Sequence, residues 1–193
     1  HKARLVYIST DYVFEGKDCK PHLTEDETNP LSVYGKTKLK GEENCLKNNP
    51  LTFVIRTSWL YSEFKSNFVK TMISLSQTRD ELNVIYDQIG SPTYARDLAD
   101  FAIRAIEHID RNRILHFSNQ GVCSWYDFAR KAIELWGERN IKINPILTSQ
   151  YPTLATRPKF SVFDKSESED LLKIKIPHWE DSLKDCIKEL KAQ

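Results

Sequence analysis

Tyr34 and Lys38 stand four residues apart in Tyr34-Gly35-Lys36-Thr37-Lys38, a spacing that puts both side chains on one face of a helix. A free tyrosine titrates near pH 10 and is a poor proton donor at neutral pH. An ammonium beside it stabilises the phenolate and lowers that pKa. The pair can then pass a proton to or from a substrate oxygen. Any amphipathic helix can hold a Tyr and a Lys at this spacing, so the pair gains meaning only from its surroundings. Upstream, an apolar run ends in Ser9-Thr10-Asp11-Tyr12. Ligands of open parallel sheets sit outside the carboxyl ends of strands. Thr10 is therefore where a hydroxyl could hydrogen-bond a substrate carbonyl beside Tyr34. A capping role is the simpler account of Ser9 and Thr10 taken alone. Strand end, loop and helix together favour chemistry.

The elements that must position these residues can be read from pattern. Leu5-Val6-Tyr7-Ile8-Ser9 reads as a strand buried on both faces. Residues 15–31, rich in Gly, Lys, Asp, Pro and Thr, read as a loop. A helix is predicted over 32–47, stopped near Asn48-Asn49-Pro50, and Thr52-Phe53-Val54-Ile55-Arg56-Thr57 is the next strand. Strand, helix and strand with short connections make a βαβ unit. Beyond residue 61 the pattern predicts helices over 67–76, 95–109 and 124–136, strands over 82–86, 114–117 and 141–147, and two short helices near 165–172 and 179–190. Ser124 is the expected N-cap of its helix. The fold class is α/β: the C-terminal part of a Rossmann-type parallel sheet plus a small α/β substrate-binding lobe. Residues 1–62 form the first part and 63–193 mainly the second, with 113–118 returning to the Rossmann sheet.

Composition excludes several classes. Lys and Arg number 28 against 27 Asp and Glu, a net charge of +1, so no basic face is expected for nucleic acid. No apolar run approaches the roughly 20 residues of a membrane span, and no charged-then-apolar leader opens the sequence. The cysteines at 19, 45, 123 and 186 form no C-x-x-C pair, which argues against a zinc or redox motif and for reduced thiols in the cytoplasm. The five histidines are scattered, and no metal site is expected.

Two longer stretches carry a family resemblance: Ile8-Ser9-Thr10-Asp11-Tyr12-Val13-Phe14-x-Gly16, and Pro30-Leu31-x-x-Tyr34-Gly35-Lys36-Thr37-Lys38-Leu39-x-Gly41-Glu42. They resemble the dTDP-4-dehydrorhamnose reductases, a branch of the extended short-chain dehydrogenases. Arg56-Thr57-Ser58-Trp59-Leu60-Tyr61, Asp87-Gln88-x-Gly90-x-Pro92-Thr93 and Arg157-Pro158-x-x-Ser161-x-x-Asp164 extend the match from about residue 4 to residue 190. The resemblance implies a catalytic set of Thr10, Tyr34 and Lys38. Tyr34 would protonate the C4 oxygen of the sugar. Lys38 would lower the tyrosine's pKa and, with Tyr34, bind the nicotinamide ribose of NADPH or NADH. Thr10 would orient the ketone, with Asp11 and Trp59 lining the sugar pocket. Gln88 would close that pocket from the second lobe, together with Asp87, Gly90 and Thr93. Arg157 would meet the nucleotide diphosphate, and Trp125-Tyr126-Asp127-Phe128 would pack one face of a helix. The implied partner is a nucleotide sugar, and a homodimer is allowed.

The sequence departs from that family at its start. It contains no G-x-G-x-x-G and six glycines in all. The turn that meets the cofactor pyrophosphate is expected in roughly a hundred further residues ahead of the first strand, so these residues are expected to be a fragment with weak cofactor binding and an exposed sheet edge. Two other readings remain. One is a binding subunit resembling the regulatory subunit of methionine adenosyltransferase, which the Ser58-Trp59 pair disfavours. The other is an epimerase or dehydratase of the same superfamily, disfavoured by Asp11-Tyr12 after Thr10.

Overall fold

The structure, a computed structural model, describes residues 3–137, 141–151 and 157–193; His1, one of the five histidines, lies outside them. The first βαβ unit is β1 (Leu5–Thr10), α1 (Val33–Asn48) and β2 (Thr52–Thr57). Ser32 caps α1 by accepting the Gly35 N–H at 3.1 Å. Strand β2 pairs parallel to β1 on one side and to β7 (Arg113–His116) on the other, giving the order β1-β2-β7. Apolar side chains of this sheet, Phe53, Ile55 and Leu115, pack on Leu98, Phe101 and Ala105 of α3 (Ala95–Glu107).

The expectation that the first strand is buried on both faces is corrected here. Leu5 to Ile8 are half-buried, whereas every residue of β2 is buried. The reason is position in the sheet: β1 has one strand neighbour among the described residues and β2 has two.

The remaining elements are β3 (Leu60–Tyr61), α2 (Phe68–Thr78), β4 (Glu81–Ile85), β5 (Ile89–Gly90), β6 (Thr93–Tyr94), β8 (Cys123–Ser124), α4 (Trp125–Trp136), β9 (Lys142–Ile146), α5 (Ser166–Leu172) and α6 (Trp179–Lys191). Asn67 caps α2, and Ser124 and Asp127 form a reciprocal capping box at α4. Strands β4 and β9 pair parallel. Phe128 of α4 is the centre of a second core with Tyr61, Val69, Tyr94, Trp179 and Leu183. Pairs β3–β6 and β5–β8 are only two residues long. The first stitches the segment after β2 to a strand that follows α2, and the second ties β5 to the residues that open α4. Among the described residues no helix is long and apolar enough to cross a membrane.

Candidate active-site cleft

Strand β1 delivers Thr10 to the carboxyl edge of the sheet, where the chain turns into a short 3-10 segment, Asp11–Val13. The Thr10 hydroxyl caps that turn. It accepts the Tyr12 N–H at 3.2 Å and donates to Asp11 Oδ1 at 2.9 Å. Strand β2 ends alongside and continues into Ser58 and Trp59. The first turns of α1 supply Tyr34 and Lys38. A cleft of about 850 Å³ opens between these elements, and Thr10, Asp11, Tyr34, Lys38 and Trp59 all line it.

Within the cleft Lys38 is held by the strand. Its Nζ donates to the Ile8 carbonyl at 2.5 Å and lies 4.3 Å from the centroid of the Tyr7 ring. Tyr34 is 53% exposed and meets Tyr12 edge-on, with ring centroids 5.6 Å apart. Its hydroxyl is thus open to an incoming molecule.

A second cleft of about 270 Å³ shares Asp11, Tyr12, Trp59 and Leu60 with the first and adds Phe68, Gln88, Trp125, Arg157 and Pro158. Gln88 is buried, and its Nε2 donates to Thr148 Oγ1 at 3.1 Å. Arg157 is exposed at the rim. Three neighbours of Gln88 do not line either cleft. Asp87 accepts both the N–H and the hydroxyl of Thr148, at 2.8 and 2.7 Å. Thr93 pairs with Thr57 in the buried seam at 3.3 Å. Gly90 lies behind the Trp59 ring: a Cβ built on it would stand 2.6 Å from Trp59 Cε2 and 2.6 Å from Ser161 Oγ.

Trp125 packs a face of its helix, as expected, and goes beyond that expectation: its indole stacks on Trp59 with centroids 3.7 Å apart and planes 9° from parallel. The stack joins a residue beyond the end of β2 to the start of α4. Trp59 itself has φ of +48°, a left-handed conformation that is costly for a non-glycine residue. Nothing in the linear pattern reports that backbone, although a tryptophan directly after a buried strand was a pointer to a wall residue.

Electrostatics single out Asp11. Burial pushes its carboxyl up to about 6, and hydrogen bonds from Thr10 and Ser161 only partly offset this. Burial also raises the Tyr12 phenol, with the Asp11 charge adding to the effect. A buried carboxyl that titrates near neutral pH, in contact with a strand-end hydroxyl, is a group able to hold or release a proton inside the cleft. Among the described residues no group of three or more His, Cys, Asp or Glu could hold a metal ion.

Parallel strands ending at a cleft lined by a Tyr-x-x-x-Lys helix define an α/β protein of the Rossmann-like class. The chain belongs to the RmlD substrate binding domain family, whose model matches residues 1–192. It is 41% identical over 187 residues to the spore coat polysaccharide biosynthesis protein SpsK of Bacillus subtilis (strain 168), covering 97% of this chain and 65% of that protein. A crystal structure of a dTDP-4-dehydrorhamnose reductase from Clostridium acetobutylicum superposes with a TM-score of 0.93 at 43% identity, covering 98% of this chain and 66% of that one. The dTDP-4-dehydrorhamnose reductase from Bacillus anthracis, solved in complex with NADP, gives 0.92 at 37% identity, covering 97% and 66%. The chain therefore spans just under two thirds of the length of these three relatives.

Proposed function

We propose that the whole protein reduces the 4-keto group of a dTDP-4-keto-6-deoxy sugar with NADPH or NADH, giving dTDP-L-rhamnose. The observation that carries this reading is the single cleft lined by Thr10, Tyr34 and Lys38. Tyr34 is the general acid, and its open hydroxyl supports direct transfer of a proton to the C4 oxygen. Thr10 already donates to one oxygen, that of Asp11, so a ketone oxygen can take over an aligned donor. Lys38 is fixed close to the strand end, its ammonium in the same cleft as Tyr34. Asp11 and the Trp59 wall bound the sugar. Gln88 and Arg157 line the adjoining cleft, where the nucleotide diphosphate lies against the guanidinium.

The residues present fit one end of the cofactor. The Lys38 ammonium and the Tyr34 hydroxyl line an open cleft at the strand ends, suited to ribose hydroxyls, while the sequence holds no glycine-rich turn for a pyrophosphate. When bound, the reduced nicotinamide supplies the hydride. The four cysteines are free, which supports a cytoplasmic setting.

The test is oxidation of dTDP-L-rhamnose by the whole protein and by its Tyr34→Phe variant. A positioned acid contributes about 10²–10⁴ in rate, so turnover should fall by that factor. Half-exposed Tyr34 should leave the fold unchanged. Undiminished turnover removes Tyr34 from the mechanism.

A further inference from the structure

Helix α1 carries a third polar residue on the stripe of Tyr34 and Lys38. Glu42 follows Lys38 by four residues, yet it points into the protein and is only 1% exposed. Its carboxylate receives three bonds from Arg56, which is buried as well: Nε donates to Oε1 at 3.1 Å and to Oε2 at 3.2 Å, and Nη2 donates to Oε2 at 2.8 Å. Ser9 Oγ donates to Glu42 Oε1. Arg56 Nη1 donates to the Thr24 carbonyl at 3.2 Å, and its guanidinium stands 5.0 Å from the centroid of the Phe14 ring.

These contacts join β1, β2 and α1, the three elements that carry Thr10, lead to Trp59 and hold Tyr34 and Lys38. Ser9 immediately precedes Thr10, and Ser9 and Arg56 are register partners across β1 and β2. Arg56 lies three residues before Trp59. Glu42 lies on the helix of Tyr34 and Lys38. A buried ion pair is weak support for stability, because desolvation opposes the attraction and an apolar pair of similar volume does as well or better. What a fork of directed bonds adds is geometry. Apolar side chains would let α1 roll or slide over the strands, whereas a bidentate guanidinium–carboxylate pair tied to a serine hydroxyl admits one arrangement. The packing is close in any case: a side chain at Gly35 would strike the Tyr12 carbonyl, and one at Gly41 the Tyr7 ring.

We infer that Glu42 is a positioning residue, clamped by Arg56 and Ser9, that sets the roll of α1 so that Tyr34 and Lys38 face Thr10 across the cleft. The inference rests on the reductase reading for its catalytic consequence, but its structural part is testable without it.

The test is the double substitution Glu42→Leu/Arg56→Met in the whole protein, which replaces the pair with apolar groups. The thermal midpoint should stay at or above that of the parent. The kcat for the keto sugar should fall at least tenfold with KM within twofold, and backbone amide exchange over residues 33–41 should speed up at least tenfold. A folded double variant with parental kcat overturns the inference. If that variant does not fold, Ser9→Ala, which removes one hydroxyl and keeps the ion pair, is read instead. A threefold or greater fall in kcat at unchanged KM supports the clamp, and parental kcat overturns it. Should the parent show no reductase activity, the reading of function fails, and the exchange measurement alone decides the clamp: unchanged protection over residues 33–41 overturns it.

Discussion

Substituting Gly90 by alanine should damage a wall of the cleft through a single methyl group. Gly90 has no left-handed backbone to relax, so the effect is one of space. The added Cβ would lie 2.6 Å from Trp59 Cε2, 2.8 Å from Trp59 Cζ2 and 2.6 Å from Ser161 Oγ. Ordinary carbon contacts need about 3.5–4.0 Å, so the indole must withdraw by roughly 1 Å. Trp59 has little freedom to do so, since it is stacked at 3.7 Å on Trp125 and its backbone is already held at positive φ. Inserting a methyl group into a packed site costs about 1–3 kcal/mol. Against this, removing a glycine stabilises by about 0.4–1 kcal/mol through the unfolded chain. The net loss is about 1–2 kcal/mol. For a chain of this size that is a fall in thermal midpoint of about 2–8 °C. The assays are thermal unfolding and near-ultraviolet circular dichroism, which reports the stacked indole pair. Displacing Ser161 also removes a hydrogen bond from Asp11, so substrate KM should rise as well. A Gly90→Ala protein as stable as its parent, with the tryptophan spectrum unaltered, would refute the reasoning.

Two further predictions concern charge. Burial, followed by the nearby Arg56 charge, lowers the pKa of His116 from 6.5 to about 3. The unfolded chain therefore binds the extra proton below pH 6.5, and the stability that His116 contributes is full above pH 6.5 and lost as pH falls towards 3. Asp11 has the opposite sign: its carboxyl is raised from 3.8 to about 6, so its contribution is full below 3.8 and lost as pH rises through 6. Urea unfolding between pH 4 and 7 should show a flatter acid limb in His116→Gln and a steeper one in Asp11→Asn, each by up to about 1.4 kcal/mol per pH unit; variants with parental slopes would contradict both assignments. Arg157→Ala should weaken nucleotide-sugar binding by about 1.5–3 kcal/mol, the worth of a hydrogen bond to a charged group, with kcat kept. An unchanged KM would move the diphosphate elsewhere.

The helices were legible because their ends carry chemistry that the sequence displays. Ser124, read as an N-cap, accepts the Asp127 N–H before the apolar-periodic run of α4, and Ser32 and Asn67, where the helices were expected to begin, also accept an N–H of their own first turn. The strand β2 was legible because the apolar, largely β-branched centre Phe53-Val54-Ile55 is buried throughout and flanked by threonines that favour strands. At β1 the half-burial of Leu5 to Ile8 goes with the exposed sheet edge expected of these residues, since one of its two sides has no strand neighbour among the described residues. The four two-residue strands were invisible for a simpler reason: two residues cannot display a period. They exist because tertiary neighbours present partners, as when β3 meets β6 across 32 intervening positions of sequence, Leu60 opposite Thr93.

The same distinction separates the parts of the site. Tyr34 and Lys38 could be placed together because helical geometry alone fixes their relation. Thr10 could be placed near them because a strand end points to the same edge. Trp125 could not, since its partner Trp59 is far away in the chain and their approach needs a backbone at φ of +48° and a residue without a side chain at Gly90. Nor could the hydroxyl of Thr10 be assigned its partner. Local sequence suggested a free donor awaiting a ketone, whereas the donor already belongs to Asp11. A ketone oxygen must therefore compete with a carboxyl whose pKa, about 6, lies close to neutral pH. An ionised Asp11 holds the threonine proton more firmly than a neutral one. The strength with which Thr10 can orient a ketone is set by that neighbour, and the motif Ser-Thr-Asp-Tyr works as one unit rather than as a hydroxyl with bystanders.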